Sequence, residues 1–152
     1  MYGVTIKISS VLGDSKYIIN SLYNKELKLG KVAVGTNLKF YKRRILGLEK
    51  LLFHFWDSEK NKYVFVIADI EEYKFLDEKF NPSEYKDYIC NHEPKRSWFL
   101  IKNMSVCSNK LVRSFVTAEG ESIEDIINKS PRVNKIFFNS STPNKDLTNT
   151  LV

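Results

Sequence analysis

Along KLLFHFWDSEKNKYVFVIADI, residues 50–70, Leu51, Phe53 and Phe55 alternate with Leu52, His54 and Trp56, and an almost unbroken apolar run from Tyr63 to Ile70 follows, interrupted at Asp69. A period of two places successive side chains on opposite faces, so this spacing predicts two adjoining strands. The charged connector 57–62 has the length of a hairpin loop. The second strand is apolar enough to be covered on both faces, which predicts a central place in its sheet.

The same reading extends in both directions. Val4, Ile6 and Ile8 alternate with Thr5 and Lys7, a first strand ending at Ser9 and Ser10. From Asp14 to Leu27 the period becomes helical, with Tyr17, Ile18, Leu22 and Tyr23 on one stripe and Asp14 or Ser15 available as N-cap. Gly30 stops the helix, Val32 to Val34 form a short extended piece, and Leu38 to Leu48 is a basic helical or irregular segment. Residues 71–95 are polar and carry Asn81-Pro82 and His92-Glu93-Pro94, yet they hold Tyr73, Phe75, Leu76, Phe80, Tyr85 and Tyr88; they predict a long packed loop with a helical turn after Pro82. A strand over Ser97–Val106, a short one over Leu111–Thr117, a helix capped by Ser122 and ended by Pro131, and a last apolar segment Val133–Phe138 complete the order. Local hairpins without regular βαβ alternation predict an α+β domain on a curved, mixed, partly open barrel-like sheet flanked by two or three helices. Residues 1–139 form the expected domain, and 140–152, rich in Ser, Thr and Asn, a tail or linker.

Composition narrows the function. With 152 residues, 43% hydrophobic and 13% aromatic, the chain is long enough for one packed core, and no apolar run approaches the roughly 18 residues of a membrane span. MYGVTIKISS lacks the pattern of a secretory signal, so a cytoplasmic location is expected. Cys90 and Cys107 stand apart and outside any CxxC pair; with two histidines they offer too few ligands for a structural zinc, and no cofactor is expected. A net charge of +6 and a pI near 9.2 favour an anionic partner. Lys39, Lys42, Arg43 and Arg44 crowd one segment, Lys95 and Arg96 precede Trp98, and acidic residues gather between Glu71 and Glu84. For either basic cluster alone, a solvated helix or loop face is the better reading.

Taken in order, the motifs resemble the YTH domain, within the PUA-like group that also holds EVE and ASCH modules. Ile6-Lys7-Ile8-Ser9 matches an "IKS" type strand end, and Ala33-Val34-Gly35-Thr36 a "VWST" type segment. The hairpin 50–70 matches "ILIFSVRESGKFQGFARL", Ser97-Trp98-Phe99 a "DWI" strand, and Gly120-Glu121-Ser122-Ile123-Glu124 a "GxEIE" helix entry. The likeness spans residues 4 to 138. It implies a non-catalytic module that captures one flipped, modified base, N6-methyladenine favoured, in an aromatic cage. Members read RNA, and a YTH-like domain also serves as the DNA-binding module of McrB-type modification-dependent restriction systems, a setting in which the polar tail would lead to a C-terminal effector domain or partner subunit. DNA is slightly favoured over RNA as the partner, and no membrane partner is expected.

By the same resemblance, Lys7, Ser9, Ser10, Val34, Gly35 and Thr36 border the pocket. Val34 or a neighbour stands where the family has its first cage tryptophan, with Trp56 a candidate replacement. The second wall would come from Phe80, Tyr85 or Tyr88, and Trp98 is a base platform or core packing. Phosphate contacts are expected from Lys39, Lys42, Arg43, Arg44, Lys95, Arg96 and Arg113, the last lying near Ala118, where the family commonly has an arginine. Two other classes stay open: an ASCH-like hydrolase or ribonuclease, and a protein-interaction adaptor using the aromatic stretch. With no glycine-rich phosphate loop, GxSxG or metal-ligand spacing in the chain, the domain itself is expected not to be an enzyme.

Overall fold

Both faces of the central hairpin are covered, and this organises the molecule. The computed structural model describes residues 1–8 and 15–140. β1 (Tyr2–Lys7), α1 (Ser15–Leu29), β2 (Val32–Thr36), α2 (Lys42–Ile45), β3 (Lys50–Asp57) and β4 (Lys62–Phe80) lead to a 3-10 helix, Ser83–Tyr88. Then come β5 (Lys95–Val106), α3 (Asn109–Val112), β6 (Phe115–Val116), α4 (Ile123–Lys129) and β7 (Lys135–Ser140). The strands form one seven-stranded sheet in the order β2-β5-β4-β3-β1-β7-β6. Only β1 and β3 among the paired strands run parallel. The domain is thus α+β on a mixed sheet. β2 and β6 form its outer edges, so it is not closed into a barrel.

Alternation along β3 sorts the core. Leu51, Phe53 and Phe55 join Val4, Ile6, Phe99 and Ile101 beneath Ile19 and Leu22 of α1. Leu52 faces the other way, into a cluster with Phe65, Phe138, Val112, Phe115, Ile123 and Ile127 under α3 and α4. A third cluster at the β2 edge packs Ala33, Tyr85, Ile89, Trp98 and Leu100 around the 3-10 helix. β4 lies between β3 and β5, as its apolar run predicts.

Three expectations are corrected. The α1 stripe is Ile19 and Leu22, whereas Tyr17 and Tyr23 face solvent. Residues 71–80 continue β4 along β5 to Phe75, lose register, and pair again where Phe80 meets Lys95. The polarity of 71–80 follows from its position, because β3 starts at Lys50 opposite Asp69 and leaves this part of β4 with a neighbour on one side. Third, Asn109–Val112 is a helical turn capped by Ser108, and the strand after it shrinks to Phe115–Val116. The helical turn after Pro82 and the Ser122 cap are both present. Gly30 ends α1 with φ +85°, a conformation glycine adopts without penalty, and its N–H closes on the Glu26 carbonyl at 2.7 Å. No described helix is long and apolar enough to cross a membrane.

Candidate nucleic-acid interface

Leu38 to Ile45 crosses the sheet on the α1 side and is held there by its own backbone. Thr36 Oγ1 accepts from the Leu38 N–H at 3.2 Å, and Ser97 Oγ donates to the Leu38 carbonyl at 2.8 Å. Phe40, thus placed, stacks on Phe75 at 5.2 Å and meets Phe99 and Phe137 edge-on at 5.3 and 6.2 Å. One ring therefore bridges β4 and β7, strands separated by β3 and β1, and the sheet curls toward this face.

Beside Phe40 opens a cleft of about 490 Å³. Its rings are Phe40, Tyr41, Tyr73 and Phe75, with Tyr73 stacked on Phe75 at 4.9 Å; Tyr41 is 63% exposed and Tyr73 38%. Lys39, Lys42 and Arg96 also line it, with one acid, Asp77. The Lys135 ammonium sits 4.9 Å from the Phe40 ring centre and donates to the Lys39 carbonyl. The Arg44 guanidinium lies 4.3 Å from that of Phe137. Burial, then the nearby Arg44 charge, pushes the Lys135 ammonium below the ordinary lysine range.

The cations around this cleft are not neutralised by ion pairs. Ion pairs among the described residues engage Lys16, Lys31, Lys50, Lys74, Lys95 and Lys102. Lys39, Lys42, Arg43, Arg44, Arg96 and Lys135 form none. Segment 38–48 contains no Asp or Glu. The Arg96 Nε is sealed from solvent and has no acceptor, a buried unmet donor of the kind that costs about 1–3 kcal/mol. Exposed rings beside unneutralised donors can stack a planar heterocycle and hold an attached anion.

The residues singled out from sequence divide. Lys39, Lys42 and Arg96 line the cleft, and Arg43 and Arg44 share the adjoining α2. Thr36 and Val34 support it from β2, Thr36 through Leu38 and Val34 by packing on the first cluster. The others lie elsewhere. Trp98 and Tyr85 are 1% exposed; the Trp98 indole donates to the Phe80 and Lys95 carbonyls at 2.8 and 3.2 Å, and the Tyr85 hydroxyl to Glu72 at 3.0 Å. Burial and that carboxylate push the Tyr85 phenol upward. Phe80 packs on the same cluster. Gly35 lies against Trp98, and a Cβ there would come within 2.9 Å of the indole ring. Lys95 pairs with Glu93. Trp56 is exposed beside Tyr63 and, one residue on from Phe55, faces away from the cleft. Lys7 donates to the Pro131 carbonyl at 2.5 Å. Arg113 is exposed at the end of α3. Ser9 and Ser10, the alternative cap Asp14 and the tail from 141 lie outside the described residues.

Sequence reasoning passed over Phe40, Tyr41, Tyr73, Phe75 and Lys135. The available signals were two rings inside an acid-free basic run and an i, i+2 aromatic pair, Tyr73 and Phe75, in a polar stretch. Compared with known proteins, the chain matches no family model, no curated protein and no solved structure.

Proposed function

We propose that this domain binds nucleic acid without cleaving it and draws one everted base into the cleft between Tyr41, Tyr73 and Phe75. The observation that carries the proposal is the meeting of exposed rings with unpaired cations at one hollow. Stacking on such rings contributes about 1–3 kcal/mol per base, enough to offset the few kcal/mol of extruding it. Lys39, Lys42, Arg43 and Arg44 would take the phosphates on either side, and the Arg96 guanidinium, which only donates, an acceptor on the base edge. A modified base, N6-methyladenine first, suits a hollow whose walls are π faces, since a methyl group adds apolar contact there. In this reading the open sheet is a PUA-like variant in which Phe40 takes the place of hydrogen-bonded closure, and the domain is the specificity module of a larger system such as modification-dependent restriction, with DNA slightly favoured.

Fluorescence anisotropy with matched DNA and RNA oligonucleotides tests this, each unmodified or carrying N6-methyladenine, 5-methylcytosine or 5-hydroxymethylcytosine. The expected result is salt-sensitive binding that tightens for a modified base and loses that preference in Tyr73→Ala. Equal affinity for all forms leaves a generic binder. Turnover of any oligonucleotide transfers the case to a hydrolase or ribonuclease, and absence of binding by all removes nucleic acid as the partner.

A further inference from the structure

The cationic surface does not stop at the cleft. Lys135 leads back along β7 into the turn 130–134, and residues 126–138 contain no Asp or Glu, as 38–48 do not. Within this stretch Lys129, at the end of α4, and Arg132 are exposed, and neither is ion-paired. The turn is fixed rather than loose. Lys7 holds it from β1 by two bonds, its ammonium to the Pro131 carbonyl at 2.5 Å and its backbone N–H to the Asn134 carbonyl at 2.9 Å, and Val133 N–H closes it onto Ser130 at 3.0 Å. Lys135, which follows directly, ties it to Lys39 at the cleft. On the other flank acids interleave with the cations: Asp77 and Glu78 precede the exposed Lys79 on β4, Lys74 is paired with Glu84, and Lys95 with Glu93.

We infer that a nucleic-acid strand whose base enters the cleft continues in one direction only, across Lys135 and over the turn carrying Arg132 and Lys129, which hold its flanking phosphates. This rests on the reading of the cleft given above and names the rest of the ligand: a polynucleotide segment rather than a free nucleotide. Lys7, placed by sequence beside the base, becomes a positioning residue for the turn.

The test measures affinity against salt for single-stranded oligonucleotides of about 4 and about 15 residues. Each phosphate neutralised on a single strand adds about 0.7 to the slope of log affinity against log salt. Lys129→Ala with Arg132→Ala should lower the slope for the long oligonucleotide by about 1.4, leave the short one within twofold, and leave the preference for a modified base intact. Lys7→Met should weaken the long oligonucleotide selectively, with recovery in Lys7→Arg. If wild-type protein binds with a salt slope that the double variant leaves unchanged, the path over β7 is wrong while the cleft reading stands. If Tyr73→Ala also leaves affinity for both lengths unchanged, the cleft reading falls as well.

Discussion

Two groups of aromatic residues lie on opposite faces of β5, and they have opposite fates. Around the 3-10 helix, Trp98 and Tyr85 are sealed in, each polar handle donating to an acceptor and the nearby Lys74 and Lys95 paired with carboxylates. Around the cleft, Tyr41 and Tyr73 are open, and the cations beside them form no ion pair. Both groups set tyrosine and phenylalanine beside lysine, and only the covered one holds a tryptophan. What separates them is whether the chain supplies a partner for the indole N–H, the phenol and the ammonium, and where it does not, a partner from outside has room to act.

The comparison breaks first at Trp98. Trp98→Ala empties a packed site and should cost about 3–5 kcal/mol in chemical denaturation, whereas Tyr73→Ala should change stability little. A Trp98→Ala protein that keeps its stability and loses only binding would exchange the roles of the two clusters.

The next effect concerns pH. His54 is fully buried against Thr5, Nδ1 to Oγ1 2.7 Å, and burial lowers its pKa to about 4. Unfolded, it takes a proton near 6.5, so its contribution is intact above that value and is lost as pH falls toward 4, by roughly 3 kcal/mol in all. His54→Gln should flatten the fall in unfolding free energy between pH 7 and 5 relative to wild type; parallel curves would mean that the ring is not held neutral.

Smaller still, Tyr73→Ala should cost about 5- to 150-fold in affinity for a preferred oligonucleotide. Trp56→Ala, on the opposite face, should leave binding within twofold in the same titration. Loss of base preference in Trp56→Ala alone would move the site across the sheet.

Periodicity made the sheet largely legible. The hairpin, β1, β5 and the capped α4 follow from alternation and from Ser122, because those segments bury one or both faces fully. It failed at 71–80, where the strand outruns its β3 neighbour and its solvated positions fill with charge, so that a strand takes on a loop's composition. It also failed on α1, where Tyr17 and Tyr23 satisfy a helical stripe as well as Ile19 does and only packing decides. The basic half of the candidate site was visible because lysine and arginine declare themselves. The rings were not, since sequence ranks tryptophan above phenylalanine, while exposure depends on what the 3-10 helix happens to cover.

Lys135 and Arg44, each resting on a ring with no acid between them, carry one more consequence. Like charge held this close raises the free energy of the empty fold, so the ligand-free domain should melt at a higher temperature as simple salt is added. The hollow would then be a place where folding and occupancy trade against each other, and a polyanion would act as a stabiliser before it acted as a signal.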